Sequence, residues 1–255
     1  MGVRGLIGVL ERTCGNAKQE MTGEEVGKRM HEKGNRVLVV DAMNFLFYLA
    51  GLEKSRGLRD ELNTFCAFLR KEGITAACVF DSSKLSQKRH AVADDRRQQR
   101  TAAIQEIGGL CNAKGKIPFS SRHRHALLRS RTIHVNPTAV REAQEQLSRS
   151  GVCTVFMAVD EADSVCVDMV KNGTAFACLS NDSDMFVQGC PYVMRKYNPE
   201  NVTFEFWDTA KVYDEVGMDE VRFQETCEGA SVARLEHNEL YSLMCEGCRR
   251  VPVKV

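Results

Sequence analysis

Short apolar runs that stop at acids recur along this chain. Arg36 to Val40 stops at Asp41, and Thr75 to Phe80 stops at Asp81. Val152 to Val159 stops at Asp160 and Glu161, with Asp163 two residues on, and Ala175 to Leu179 is followed by Asp182 and Asp184. An apolar, β-branched run of this length bounded by polar residues predicts a buried strand. Between these runs the period lengthens. Leu58, Leu62, Phe65, Cys66 and Leu69 fall at helical spacing and Gly73 closes the segment; Val140, Ala143 and Leu147 repeat the pattern before Gly151. Asn44–Leu52 and Asp163–Val170 also predict helices. Tyr192–Tyr197 and Val202–Trp207 predict a strand pair turning at Asn198-Pro199, Asp208–Val216 a helix, and Glu220–Cys227 the start of another.

The remaining segments are less patterned. Met1–Leu10 is a short apolar-basic opening, and Glu11–Gly34 predicts loop or a short helix. Gln87–Ile107 predicts a helix, interrupted by Gly108-Gly109 and by Lys114–Ser121, after which Arg122–Arg131 resumes a basic pattern.

Alternating strands and helices predict an α/β fold with a mostly parallel central sheet. In such sheets chemistry sits beyond the carboxyl ends of the strands. One acid there is commonplace, because it caps the following helix. Four strands delivering acids to the same edge are harder to explain by capping, since the carboxylates repel one another unless cations neutralise them. An all-oxygen cluster favours Mg²⁺ or Mn²⁺.

Charge changes the picture more than composition does. The 255 residues have ordinary hydrophobic and charged content, and the formal net charge is +1. Lys84 to Arg131, however, holds twelve Lys/Arg against three acids, which leaves the rest of the chain negative by eight. A basic segment beside an acidic edge predicts a polyanion held by one and cut at the other; a solvated charged helix is the plainer alternative. No apolar run reaches the roughly 20 residues of a membrane span. The 11 cysteines, several inside apolar runs, suit reduced buried thiols in an intracellular protein.

At these residues the chain resembles the flap endonuclease/XPG family of structure-specific 5′ nucleases, nearest its exonuclease 1 branch. The resemblance is carried by Met1-Gly-Val-Arg-Gly-Leu6, Val37-Leu-Val-Val-Asp41-Ala42, Val79-Phe-Asp81, Asp160-Glu-Ala-Asp163 and Asn181-Asp-Ser-Asp184, in family order, over residues 1 to about 227. It implies a PIN-like nuclease domain over 1–227: an N-terminal region to about 105, a basic helical arch over about 84–131, and an internal region over about 138–225. It implies two Mg²⁺ or Mn²⁺ ions, one held by Asp41, Asp81, Glu161 and Asp163, the other by Asp182 and Asp184 with shared ligands. Gly2 would lie near the cleaved strand, and Lys88 would reach the scissile phosphate. The family's arginine seven residues further on is replaced by Asp95, with Arg96 and Arg97 beside it, and a one-residue offset turns a helical side chain about 100°. Phe47 stands where the family stacks an aromatic or His on a base; a core role is the alternative. Lys84, Arg122 and Arg124 join the basic residues expected to hold DNA with single-stranded 5′ ends or flaps, through phosphates rather than base edges. The family also implies a nuclear, monomeric repair or replication protein, with a sliding clamp as a family partner for which no motif is visible.

The resemblance stops near Cys227. The family continues with a last metal-binding Asp and a duplex-gripping helical unit, whereas this chain reads Glu228-Gly-Ala-Ser-Val-Ala-Arg-Leu-Glu-His237 and runs to Val255, as a truncated or divergent member would. A disordered or loosely packed tail is expected over 228–255. Cys245-Glu-Gly-Cys248 has zinc-ligand spacing, but the intervals to Cys227 and His237 fit no standard pattern. Two functions follow: a two-metal 5′ nuclease, favoured by the six acids, and a nucleic-acid-binding pseudo-nuclease of the same fold, favoured by the missing Asp. A dehalogenase-like phosphatase is disfavoured because Asp41-Ala-Met43 lacks its second acid.

Overall fold

The computed structural model describes residues 3, 5–82, 87–110, 117–159, 161–233 and 237–249. A seven-stranded sheet runs through its middle. The strands are β1 (Lys18–Thr22), β2 (Val37–Asp41), β3 (Thr75–Phe80), β4 (Cys153–Met157), β5 (Ala177–Leu179), β6 (Tyr192–Asn198) and β7 (Thr203–Asp208), in the spatial order β1-β7-β6-β5-β2-β3-β4. The five strands from β6 to β4 are parallel, and β7 and β1 add an antiparallel margin. The mostly parallel α/β architecture predicted from the pattern is therefore present.

Period-2 alternation splits the core into two layers. Leu38, Val40, Ala76, Cys78, Phe80, Ala177, Leu179 and Met194 point to one face. There they meet α2 (Gly23–Glu32), α3 (Ala42–Gly51), α4 (Leu58–Glu72) and α7 (Pro137–Arg149). Val39, Ala77, Val79, Cys178, Val193 and Trp207 point to the other. They are covered by α1 (Leu6–Thr13), α8 (Ala162–Lys171), α9 (Asp184–Val187), α10 (Thr209–Val216), α11 (Glu220–Ala233) and α12 (His237–Arg249). Strands buried on both faces need apolar residues at consecutive positions, which is why β2 and β3 read as unbroken runs. Between β3 and α7 the chain leaves the sheet to form α5 (Gln87–Leu110) and α6 (Arg122–Thr132), which pack on each other. Among the described residues eight cysteines are free thiols, and all eight are buried.

Three expectations change. Glu11–Gly34, expected as loop or a short helix, contains the helix α2 and also a strand that its pattern did not suggest: Lys18–Thr22 pairs with β7, and Thr22 caps α2 through a capping box with Glu25. The Gly108-Gly109 pair does not break the basic helix, which continues to Leu110. The segment after Cys227 is not loose over its described part. The helix that starts at Glu220 runs through position 228 to Ala233, and α12 buries Leu240 and Met244 against the layer that contains α1 and α10. Burying two such side chains contributes about 1.5–3 kcal/mol each, enough to seat a short amphipathic helix.

Candidate active site

Strand order sets where the acids meet. From β2 the chain winds outward through β3 and β4, and from β5 it winds the other way through β6. The winding reverses between β2 and β5, so their carboxyl ends flank the crevice of the topological switch point. Asp41 is the last residue of β2 and the N-cap of α3, where its Oδ1 accepts the Asn44 N–H at 3.2 Å. Its Oδ2 accepts the Ser180 hydroxyl at 3.0 Å from just beyond β5. That same Ser180 oxygen accepts the Asp182 N–H at 3.2 Å, and Asp182 Oδ1 accepts the Asp184 N–H at 3.0 Å. A short relay thus joins the two strand ends.

The acids of β3 and β4 lie on the other flank. Asp81 follows β3 directly and its Oδ1 accepts the Ala162 N–H at 3.2 Å. Strand β4 ends at Met157, two residues before the predicted Val159, so Glu161 stands off its end as the N-cap of α8, and Asp163 lies in the first turn of that helix. Asp163 accepts its neighbour Ser164 N–H at 3.0 Å and the Gln188 side-chain amide at 3.4 Å. Asp81 and Glu161 are exposed; Asp163, Asp182 and Asp184 are half-buried; Asp41 is 8% exposed.

These carboxylates share one electrostatic field. Burial pushes Asp41 up to about 7, with repulsion from Asp163 and Asp81 adding to it and the Asn44 and Ser180 hydrogen bonds opposing it. Asp163 is raised by burial, then by repulsion from Glu161 and Asp182. Asp184 is raised by burial, then by Asp182 and Asp163. Five of the six acids therefore appear in one another's fields through Asp41 and Asp163, and Asp184 joins through Asp182. Among the described residues no three acidic, histidine or cysteine side chains converge into a ready-made metal cage. The donor set nevertheless fits a hard divalent cation: it is all carboxylate oxygen, and each acid whose ionisation is shifted is held back by burial and like charge, both of which a cation relieves.

Other predicted residues fall as follows. Phe47 is exposed on α3, one turn beyond Asn44, while Phe45, Leu46 and Leu49 point into the core. Arg97, Arg122 and Arg124 lie exposed on α5 and α6, and Arg124 is already paired with Glu106 at 2.6 Å. Lys88 and Arg96 are in α5, with side chains outside the description; Gly2, Lys84 and Asp160 lie outside the described residues. A cavity of about 310 Å³ opens beside Asp182, between the start of α1 (Gly5, Leu6, Gly8) and Asn44, Asn181 and Ser183. Sequence reasoning passed over Asn44, Ser180, Asn181 and Gln188. The visible signals were Asn44 at cap spacing after Asp41 and a polar Ser-Asn pair at the end of an apolar strand.

The mostly parallel α/β sheet with acids beyond the ends of its strands has counterparts among proteins of known sequence and structure. Residues 153–242 match the XPG I-region. Flap endonuclease 1 of Babesia bovis is 23% identical over 89% of this chain and 34% of its own length, so the chain spans about a third of that relative. Two solved structures share the fold. One is the Holliday junction-resolving enzyme GEN1 with product DNA, Mg²⁺ and Mn²⁺, at TM-score 0.59 and 16% identity over 96% of this chain and 51% of that one. The other is the catalytic core of Rad2 with DNA substrate, at TM-score 0.57 and 17% identity over 91% and 66%. These findings agree with the resemblance carried by the motifs: the chain is similar to flap endonuclease 1 over most of its length, and to the XPG I-region over residues 153–242. The XPG I-region match continues past Cys227, where the sequence motifs end, into α12.

Proposed function

We propose that this chain is a metal-dependent 5′ nuclease that hydrolyses phosphodiester bonds in branched, nicked or recessed-end DNA. The observation that carries the reading is the gathering of Asp41, Asp81, Glu161, Asp163, Asp182 and Asp184 along one edge of the sheet in a chain that matches the XPG I-region. Asp41, Asp81, Glu161 and Asp163 would hold one cation, and Asp182 and Asp184 the other with shared ligands. When bound, such ions lower the pKa of water and neutralise charge on the leaving oxygen. The chain's own residues supply the rest. Ser180 keeps Asp41 and the Asp182 backbone in register, Phe47 offers an exposed ring for a base, and the arginines of α5 and α6 attract phosphates. Lys88 would oppose charge building on the scissile phosphate.

A binding protein of the same fold with weak cleavage remains the second reading. It is favoured by the course of α11, a continuous helix where the family carries its last metal-binding Asp. The two readings are separated by incubating the chain with a labelled 5′-flap duplex and with a plain single strand, in Mg²⁺, in Mn²⁺ and in EDTA. Slow cleavage, faster in Mn²⁺ and poorly selective for the junction, is expected, because Mn²⁺ tolerates imperfect coordination better than Mg²⁺. Binding without cleavage in either metal would leave only the second reading. Fast, flap-selective cutting in Mg²⁺ would show that the site is complete without the missing Asp.

A further inference from the structure

Asn181 precedes the Asp182 carboxylate and is tied from two other elements through its N–H, its carbonyl and its side-chain oxygen. Its N–H donates to Asn44 Oδ1 of α3 at 2.9 Å. Its side-chain Oδ1 accepts the Lys196 N–H of β6 at 2.9 Å, and its carbonyl accepts Nη2 of Arg195 at 3.1 Å. The partners are themselves held. Arg195 is 6% exposed, with Nη1 4.0 Å from Glu205. Lys196 bridges Glu11 at 2.9 Å and Glu205 at 2.8 Å.

The backbone at this point is unusual. The pairing of β6 with β7 shifts register between Arg195 and Asn198, and Lys196 takes a φ of 49°, in the left-handed region that side chains avoid. A bulge of this kind re-aims groups that a regular ladder would pair, and such strain persists only where the surroundings over-determine it. Here the re-aimed group is the Lys196 N–H, and its acceptor is Asn181.

We infer that Asn181 is a positioning residue: with Asn44 and the Arg195–Lys196 bulge it fixes the backbone from which Asp182 projects, and so sets how tightly that carboxylate cluster takes a divalent cation. The inference rests on the reading that Asp182 is a cation ligand. In this reading Asn181 supplies no ligand of its own. It acts by holding the loop in one geometry, so that the carboxylate is not ordered at the moment of binding. Residues that orient ligands in this way typically change metal affinity by 10–100-fold when removed.

The test is Mn²⁺ binding to the full chain, followed by loss of the free-ion signal in electron paramagnetic resonance, for the parent, Asn181→Ala, Asn181→Asp, Asn44→Ala and Asp182→Ala. Asn181→Ala is expected to weaken binding about tenfold. Asn44→Ala, which breaks the tie from a different element, should weaken it in the same direction. Asn181→Asp keeps the acceptor for Lys196 and should bind at least as tightly as the parent, which a general loss of stability would not reproduce. Thermal unfolding of each variant, recorded alongside, confirms that binding is measured on folded protein. Parental affinity in Asn181→Ala, with Asp182→Ala impaired, overturns this inference alone. Equal Mn²⁺ binding by the parent and Asp182→Ala overturns the metal reading and the inference together.

Discussion

The two flanks of the switch point are built differently. On the β2–β5 side Asp41 is almost wholly buried and Ser180 is 1% exposed, and the Asp41–Ser180–Asp182–Asp184 relay fixes each acid by at least one hydrogen bond. On the β3–β4 side Asp81 and Glu161 are exposed, and β4 is the outermost strand, with Phe156 45% and Met157 54% exposed. The difference is one of cover, since Asp81 and Asp163 are also held, by the Ala162 N–H and by the Ser164 N–H and the Gln188 amide. An acid that loses its water must be repaid in hydrogen bonds, and Asp41 at the end of β2 accepts two. The exposed carboxylates Asp81 and Glu161 keep more of their water. The β2–β5 flank is therefore the more buried and preorganised, and the β3–β4 flank the more open to solvent.

The sharpest way to break this comparison is to remove one acid from each flank. On the proposed function, Asp182→Ala and Asp81→Ala should both lower cleavage by at least about 100-fold, because each would remove a cation ligand worth several kcal/mol of charge stabilisation. Cleavage by Asp182→Ala above about a tenth of the parental rate would argue against the site. Their effects on stability should differ in size. Each removes a like charge and a backbone acceptor, for the Asp184 N–H at half-buried Asp182 and for the Ala162 N–H at exposed Asp81, and the more buried one costs more. DNA binding, read by fluorescence anisotropy in EDTA, should persist in both.

The buried flank also predicts a pH dependence. Asp41, pushed up to about 7 by burial, keeps its proton in the folded state at pH values where the unfolded chain has lost it. Because the folded value is the raised one, stability present below about pH 4 is lost progressively as pH rises to about 7, by an amount on the order of 4 kcal/mol. Asp163 and Asp184 are shifted in the same direction and add to the trend. Urea midpoints measured in EDTA should therefore be higher at pH 5 than at pH 7.5, and Asp41→Asn should flatten the difference. Saturating Mn²⁺ should raise the midpoint at pH 7.5 more than at pH 5, since an ion favours the charged carboxylates. A parental pH profile in Asp41→Asn would contradict the assignment of that shift.

What could be read in advance divides along the same line. The interior strands were legible because they are buried on both faces, and burial forces the unbroken apolar runs of β2, β3 and β5. The edges were not. Strand β1 is Lys-Gln-Glu-Met-Thr, polar but for Met21, and exists because β7 offers it a ladder rather than because its own pattern demands one. The signal for α2 was local and was passed over: Thr22 and Glu25 are a capping box, followed by Val26 and Met30 at helical spacing. α12 likewise showed Leu240 and Met244 four apart, but a segment with no family motif was read as loose. At the site, the acids were legible from chemistry and order alone. Asn181 was not, because its role depends on a bulge at Arg195–Asn198 whose one outward sign is backbone geometry.

The smallest expected effect concerns the rim of the preorganised flank. Phe47 could have been a core residue of α3 or a platform for a base, and exposure separates the two. Phe45, Leu46 and Leu49 are each no more than 3% exposed, and Phe47 is 36% exposed on the side of Asn44. A core Phe replaced by Ala costs about 3–5 kcal/mol of stability. An exposed ring costs far less, but stacking on one base contributes about 1–3 kcal/mol to binding single strands. Phe47→Ala should therefore leave the urea midpoint within about 1 kcal/mol of the parent while weakening single-stranded DNA binding about fivefold or more. Phe47→Trp, which keeps a π-face, should restore the binding. A large loss of stability with unchanged binding would return Phe47 to the core and remove it from the nucleic-acid reading.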